Sequence, residues 1–435
     1  MRQSSRSFGV LLLLMLATVP MSSRAQTVLE ITGGSKQLWR IAAVPFAWQI
    51  ANAEAFDPAQ TVEQDLIRYS GFQPVPRPEM PSFPDSVVDI VRWDWLVLDA
   101  DFVLTGQISH TDQALPQLSW ELYDVSQDKR VLDGTFVDDG QGIRHMAHRI
   151  SDRIHRYVLG VPSASIARFV YISVTTNLWG QKLYRLMQAD ADGGNQKILF
   201  SSNEPILAPN WSPDGRRVVF STIRSGNLRI QILDLATGRM RYLGPWGGNS
   251  SDPVFSPSGD YLALTLSKDT NPDIYIYHIE TGSLQRLTRH FAIDAEPVWA
   301  LSGTQILFTS DRSGNPQLYR FNLLSGVLDR VTFFEGQDGG AQVMSNGREA
   351  IFLRSKGALS WIAHLDLETL HIRDVSEQGS HDSPAISPDG NVVLYSDSGG
   401  QSSSLVGLLL KGGHKFRLEN IGSQVKSPAW SPLYR

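Results

Sequence analysis

One phrase, Asn210-Trp211-Ser212-Pro213-Asp214-Gly215, returns in worn form all the way to the C-terminus of this chain. It reappears as Asp252-Pro253-Val254-Phe255-Ser256-Pro257-Ser258-Gly259, as Glu296-Pro297-Val298-Trp299 with Gly303, and as Val343 with Ser345-Asn346-Gly347. It comes twice more, as Ser383-Pro384-Ala385-Ile386-Ser387-Pro388-Asp389-Gly390 and as Ser427-Pro428-Ala429-Trp430-Ser431-Pro432. The glycine column Gly215, Gly259, Gly303, Gly347 and Gly390 advances by 44, 44, 44 and 43 residues. The apolar column Trp211, Phe255, Trp299, Val343, Ile386 and Trp430 keeps the same step. A fixed period of this size marks a fold built from stacked repeats.

The chemistry of the phrase says what each repeat is. Pro presets the first corner of a tight turn, Asp tolerates the second, and Gly takes the positive φ that ends it, so Ser-Pro-Asp-Gly joins two antiparallel strands. An apolar run follows each turn, such as Val218-Val219-Phe220 or Ile306-Leu307-Phe308. Alternating strands come next, as in Ile274-Tyr275-Ile276-Tyr277, giving four strands per unit. A four-stranded sheet cannot hide both faces alone, so such units stack round an axis as the blades of a WD40-like propeller. The count is six. Residues 168–200 hold a unit without its innermost strand, and Pro428-Ala429-Trp430 is an innermost strand without the other three, so the two are expected to complete one blade and close the ring.

At the other end, Arg2 and Arg6 precede an apolar run over residues 8–19, followed by Pro20 and Ser23-Arg24-Ala25. These are the parts of a secretory signal cleaved after Ala25. Its apolar run makes a helix of about 18 Å, against the roughly 30 Å of a bilayer core. The mature chain would carry 36 basic and 44 acidic residues, which argues against nucleic-acid binding, and zero Cys excludes disulfides and thiol chemistry.

Residues 26–162 lack the period and read as an α/β domain, with the propeller occupying 163–435. Trp39-Arg40-Ile41-Ala42-Ala43-Val44 is a strand, Asp57-Pro58 opens a helix that stops at Gly71, and residues 101–108 form a second strand. A hairpin turns across Ser126-Gln127-Asp128. Ile143, Met146, Ala147, Ile150, Ile154, Tyr157 and Val158 fall at helical spacing. His145, His148 and His155 on that helix have no acidic partner at ligand spacing and read as surface or packing residues. The mature N-terminus (26–34), with the strand-prone run Thr27, Val28, Leu29, Glu30 and Ile31, is either an edge strand of this domain or an arm that adds to a partner's sheet.

No catalytic motif stands out. Gly400-Gln401-Ser402-Ser403-Ser404 lacks the last Gly of a nucleophile elbow, and there is no Walker loop or His-Glu-x-x-His. No cofactor is expected. A propeller also offers a concave mouth, and the loops entering the innermost strands carry Asn249, Asp252, Asp294, Glu296, Asp338, His381, Asp382 and Lys426. Converging acids attract a basic peptide or a cation. Trp211, Trp299 and Trp430 share one repeat column and are expected to pack between blades.

The runs Trp211-Ser212-Pro213-Asp214-Gly215, Thr309-Ser310-Asp311-Arg312-Ser313-Gly314-Asn315-Pro316-Gln317-Leu318-Tyr319 and Gln424-Val425-Lys426-Ser427-Pro428-Ala429-Trp430-Ser431-Pro432 closely resemble the TolB family of the bacterial Tol–Pal envelope system. Arg40-Ile41-Ala42-Ala43-Val44-Pro45-Phe46-Ala47-Trp48 looks like the start of that family's α/β domain. The resemblance implies a PD40-type propeller in a non-enzymatic, monomeric periplasmic protein, related to the membrane only through its partners. It implies that the mouth binds the lipoprotein Pal and the N-terminal arm engages TolA, in support of outer-membrane integrity and of invagination at division. Glu296-Pro297 matches the family's phrase at the mouth, whereas Asn249 stands where the family has His. The competing expectation is a secreted propeller enzyme, a lyase or peptidase relative, with a metal in its acidic mouth.

Overall fold

The computed structural model describes residues 38–49, 56–69, 71–224, 226–269, 271–398, 402–418, 421–422 and 424–433. The expected signal (1–25) and the arm residues Thr27, Val28, Leu29, Glu30 and Ile31 lie outside the described residues.

The chain first builds a mixed sheet from β1 (Trp39–Ala43), β2 (Ala47–Trp48), β3 (Phe72–Pro74), β4 (Phe102–His110), β5 (Pro116–Asp124) and β6 (Lys129–Val137). Its order is β3-β1-β4-β5-β6, with β2 beside β4. Helices α1 (Pro58–Arg68) and α3 (Gly142–Leu159) cover one face, around Ile41, Leu66, Leu104, Trp120, Ile150 and Ile154. The Asp57 carboxylate accepts the Ala59 N–H at 3.0 Å, and Pro58 sits in the first turn, where its missing N–H costs nothing. At the far end of α3, Gly160 takes φ 74° and stops the helix. The opposite face of the sheet is covered by residues 75–100, which include the short helix α2 (Arg92–Leu96) and close over buried Trp95.

Six four-stranded antiparallel sheets follow as propeller blades. Five are continuous in sequence. The sixth has the order Val425–Trp430, β7 (Arg168–Thr176), β8 (Lys182–Asp190), β9 (Lys197–Ser202), so the chain's end zips onto the start of its ring. Val425 pairs with Ser173 and Trp430 with Phe169, whose rings meet edge-on at 5.6 Å. Burying side chains of this size stabilises the seam by roughly 1.5–3 kcal/mol each.

The repeat columns are explained by contacts. In the turn after the first complete innermost strand, Gly215 N–H donates to Ser212 O at 2.9 Å with φ 69°, the left-handed angle the turn requires. Trp211 Nε1–H donates to Ala429 O (3.0 Å) and Trp299 Nε1–H to Val254 O (3.3 Å), each reaching the innermost strand of the preceding blade. These indoles therefore bind blade to blade.

The α/β part sits on the turn side of the ring. Ala164 N–H donates to Asp389 Oδ2 at 3.1 Å, and Tyr69 packs in a cluster with Phe169, Tyr171, Ala385 and Leu409. The opposite end of the central channel is left open. Among the described residues no helix is long and apolar enough to cross a membrane.

Candidate functional site

Each innermost strand breaks its pairing register at one place, between Leu207 and Asn210, Ser251 and Val254, Ala295 and Val298, Gly339 and Gln342, Asp382 and Ala385, and Lys426 and Ala429. The cause is a β-bulge at one repeat position: Ala208, Asp252, Glu296, Gly340, Ser383 and Ser427 all have φ between 46° and 60°. Five of these residues are not glycine, so the backbone holds a sparsely populated conformation around the whole channel. All but Gly340 are followed by Pro, which the bulge tolerates because no ladder N–H is needed there.

The six bulges line a cavity of about 630 Å³ at the centre of the ring, with Ile293, Asp311, Pro316 and Gln337 nearer its rim. The acids of the ring reach from blade to blade. Asp252 accepts the backbone N–H of Glu296 and a hydrogen bond from Ser251 Oγ at 2.8 Å. Glu296 Oε2 in turn accepts from Gly340 N–H at 2.8 Å and from Thr309 Oγ1 at 2.7 Å. Water reaches the Glu296 side chain, yet protein encloses it as densely as an interior. Burial pushes Glu296 up against the pull of Thr309 and Gly340, with Asp252 and Asp382 acting in the same direction as burial. Burial likewise raises Asp252, more than its hydrogen bonds lower it. The site is thus a concave acidic pocket with fixed carboxyl positions, suited to a cation or a basic group. Among the described residues no three His, Asp or Glu side chains converge in a metal-holding arrangement.

The placement of the other expected mouth residues differs from the sequence reading. Asp252, Asp294, Glu296, Asp338, His381, Asp382 and Lys426 lie on the innermost strands, not in loops. Asp382 lines the cavity and Lys426 is half-buried beside it in the repeat, pairing with Ile172. Asp294 and Asp338 are fully buried, and although Asp338 borders the cavity, both carboxylates are paired with arginines. Both oxygens of Asp294 take Arg312 NH2 at 2.8 and 2.7 Å, and Asp338 takes Arg354 Nε and NH2 at 2.9 and 3.1 Å. Their repeat position is filled elsewhere by Ile206, Ser250, His381 and Val425, all buried, so it is a packing position between strands. His381 packs on the Tyr395 ring at 4.5 Å. Asn249 is exposed and ties its loop down, accepting Leu228 N–H at 3.0 Å and donating its own N–H to Ser267 Oγ at 3.0 Å. Sequence reasoning missed Ala208, Gly340, Ser383, Ser427 and Thr309. The signal for the first four was the residue two places after each buried column position, which in all but Gly340 immediately precedes the recurring Pro.

His148 also departs from its reading as a surface or packing residue. It is buried where α3 meets the ring, with Nδ1 2.6 Å from Asp65 on α1 and Nε2 3.8 Å from Asp192 in the turn after β8 and 4.0 Å from Asp190 at the end of β8. Arg144 bridges to Asp192, Arg168 to Asp190 at 3.2 Å and Arg68 to Asp65 at 3.4 Å.

Comparison with known proteins covers both parts of the chain. The family model for the TolB amino-terminal domain matches residues 27–131, and that for the TolB beta propeller domain matches residues 156–434. A Tol-Pal system protein TolB of Marinomonas sp. (strain MWYL1) is 37% identical over 231 residues, covering 52% of each chain. That of Alcanivorax borkumensis is 33% identical over 233 residues, covering 53% of each. The chain thus spans about half the length of the curated relatives it matches. The crystal structure of TolB from Acinetobacter baumannii superposes with a TM-score of 0.81 at 29% identity, covering 94% of this chain and all of that one. With an α/β sheet domain, a six-bladed ring closed by its last strand, and family models that match both, the chain belongs to the TolB family of the Tol–Pal system.

Proposed function

We propose that the chain is a non-enzymatic periplasmic adaptor of the Tol–Pal system, exported by residues 1–25, which binds the lipoprotein Pal at the open mouth of the propeller. TolA engages the N-terminal arm Thr27 to Ile31, and the protein acts as a monomer in outer-membrane integrity and invagination at division. The observation that carries this reading is the acidic cavity, ringed by six bulges, at the end of the channel the α/β part leaves free. A pocket whose carboxyls are fixed by the next blade is preorganised for a protruding basic or cation-bearing contact. By linkage, if an occupied mouth favours a docked arm, capture of the arm by TolA weakens the mouth by the same factor.

Titration calorimetry with the soluble Pal domain tests the mouth. Glu296→Lys places a cation among Asp252 and Asp382 and is expected to weaken Pal binding about tenfold or more. An unaltered dissociation constant removes Glu296 from the site. Deleting residues 27–32 is expected to abolish TolA capture and leave the melting curve unchanged.

A further inference from the structure

The layer formed by residues 75–100 has two apolar sides. Its inner side seals the sheet with Val75, Met80, Trp95 and Ala100, and Val87, Ile90, Leu96 and Leu98 pack against them. Its outer side carries a second set. Val88 is 88% exposed, Val97 83% and Trp93 71%, and Phe83 and Val91 are each more than half exposed. Trp93 and Val97 lie one turn apart on α2 and its C-cap. Single exposed apolar side chains are ordinary, but five within one short stretch form a patch of the kind that marks an interaction site. Nothing in the sheet's own packing calls for them.

The charge of the patch states what it fits. Asp85, Asp89, Asp94 and Asp99 are interspersed with these side chains, and none of the four has an ion pair among the described residues. Arg92, the one basic residue between Phe83 and Ala100, is turned back into the protein. Its Nε donates to Val125 O at 2.8 Å and its NH2 to Ser126 O at 3.0 Å. The layer lies on the sheet face opposite α1 and α3, away from the propeller and its mouth.

We propose that the outer face of residues 83–99 is a docking surface for an apolar, basic segment of a partner protein. Aromatic or aliphatic side chains would cover Val88, Trp93 and Val97, and Lys or Arg would meet the four carboxylates. A second copy of this chain would bring the same acids against themselves, and an anionic bilayer would be repelled.

The test uses the full chain and a fluorescein-labelled amphipathic peptide of Leu and Lys, read by anisotropy. Leu/Glu and Ser/Lys peptides of equal length are the controls. The Leu/Lys peptide is expected to bind and to weaken with salt, the Leu/Glu peptide not to bind, and the Ser/Lys peptide to bind roughly tenfold more weakly. Trp93→Ser with Val97→Ser, and separately Asp89→Lys with Asp94→Lys, should each weaken binding about tenfold or more, and Val88→Ser should act likewise from outside α2. Melting curves confirm that each variant is folded, and Glu296→Lys should leave the affinity unchanged. The proposal is overturned if folded patch variants bind like the parent, or if Glu296→Lys alone abolishes binding, which would put the probe at the mouth. It is equally overturned if the chain sediments as a dimer that the Trp93→Ser, Val97→Ser variant separates. Binding that appears only after deletion of residues 26–37 would make the chain's own N-terminus the occupant and also refute it.

Discussion

Replacing His148 with Gln removes the cation from a buried junction while leaving a side chain of similar reach. Around that ring stand Asp65 and Arg68 from α1, Arg144 and His145 from α3, Asp190 and Asp192 from the end of β8 and the turn after it, and Arg168 from β7. Burial alone would drive the His148 pKa down, but the charges of Asp65, Asp192 and Asp190 and the Asp65 hydrogen bond outweigh it and hold the pKa above the ordinary His value. Asp192, although buried, is held down to about 2 by His148, Arg144 and Arg68, so it stays ionised across the usable range. A unit charge pair at about 4 Å is worth about 4 kcal/mol at an effective dielectric of 20, and breaking a buried pair costs about 3–5 kcal/mol. Three arginines remain to offset the carboxylates, which places the expected loss near the lower figure, about 3 kcal/mol. Because the folded-state pKa is raised, the stabilisation is complete below the unfolded His value of about 6.5 and is lost as pH rises through the higher folded value. Urea unfolding of parent and His148→Gln protein at about pH 6 and about pH 9 reads this directly, with hydrogen exchange over residues 163–167 and 190–194 reporting the junction. The gap between the two proteins should be wide at the lower pH and narrow at the higher. A gap of the same size at both would show that His148 is neutral in the fold and refute the electrostatic account.

Glu296→Gln keeps an acceptor for Thr309 and Gly340 but removes a charge that burial disfavours. With a raised folded-state pKa, the parent loses stability as pH climbs through that value, so calorimetry should give the variant the higher Tm at about pH 8 and no advantage below about pH 4. Equal Tm values at both would contradict the raised pKa. Deleting residues 425–435 strips Val425 and Trp430 from the seam and bares β7 as an open edge, so light scattering should find self-association and a lower Tm. A monodisperse truncated chain with the parent's melting curve would show that the seam does not hold the ring. Asp294→Ala leaves the partly buried Arg312 without its partner and should cost about 3 kcal/mol while leaving Pal affinity intact, whereas Asp382→Ala should cost little stability. Reduced Pal affinity in folded Asp294→Ala protein would return that residue to the mouth.

Much of this architecture is written in short-range chemistry. The turn Ser212-Pro213-Asp214-Gly215 closes within four residues, and its recurrence at a fixed step sets six blades whatever the rest of the chain does. The closing strand was legible for the same reason, as a phrase without its blade. The helix started by Asp57-Pro58 and the one stopped by Gly160 carry their boundaries in adjacent residues. The stretch from 75 to 100 gave no such signal, because its elements are single turns whose order comes from lying against the sheet.

What the sequence left open was direction and partnership. Strict alternation puts Asp294 and Glu296 on one side of a strand, yet the bulge at Glu296 turns that residue into the channel while Asp294 pairs with Arg312. A backbone irregularity that depends on pairing with the next strand is not encoded in either carboxylate. His148 finds Asp65 and Asp192 only because helix, sheet and ring meet at one junction, which no local spacing records. The sequence by itself determined the repeat, its number and its closure, since turns and strand periodicity are local. Only the tertiary structure decided which acids face water and which are paired in the interior, since that choice is made by the neighbours folding brings to them.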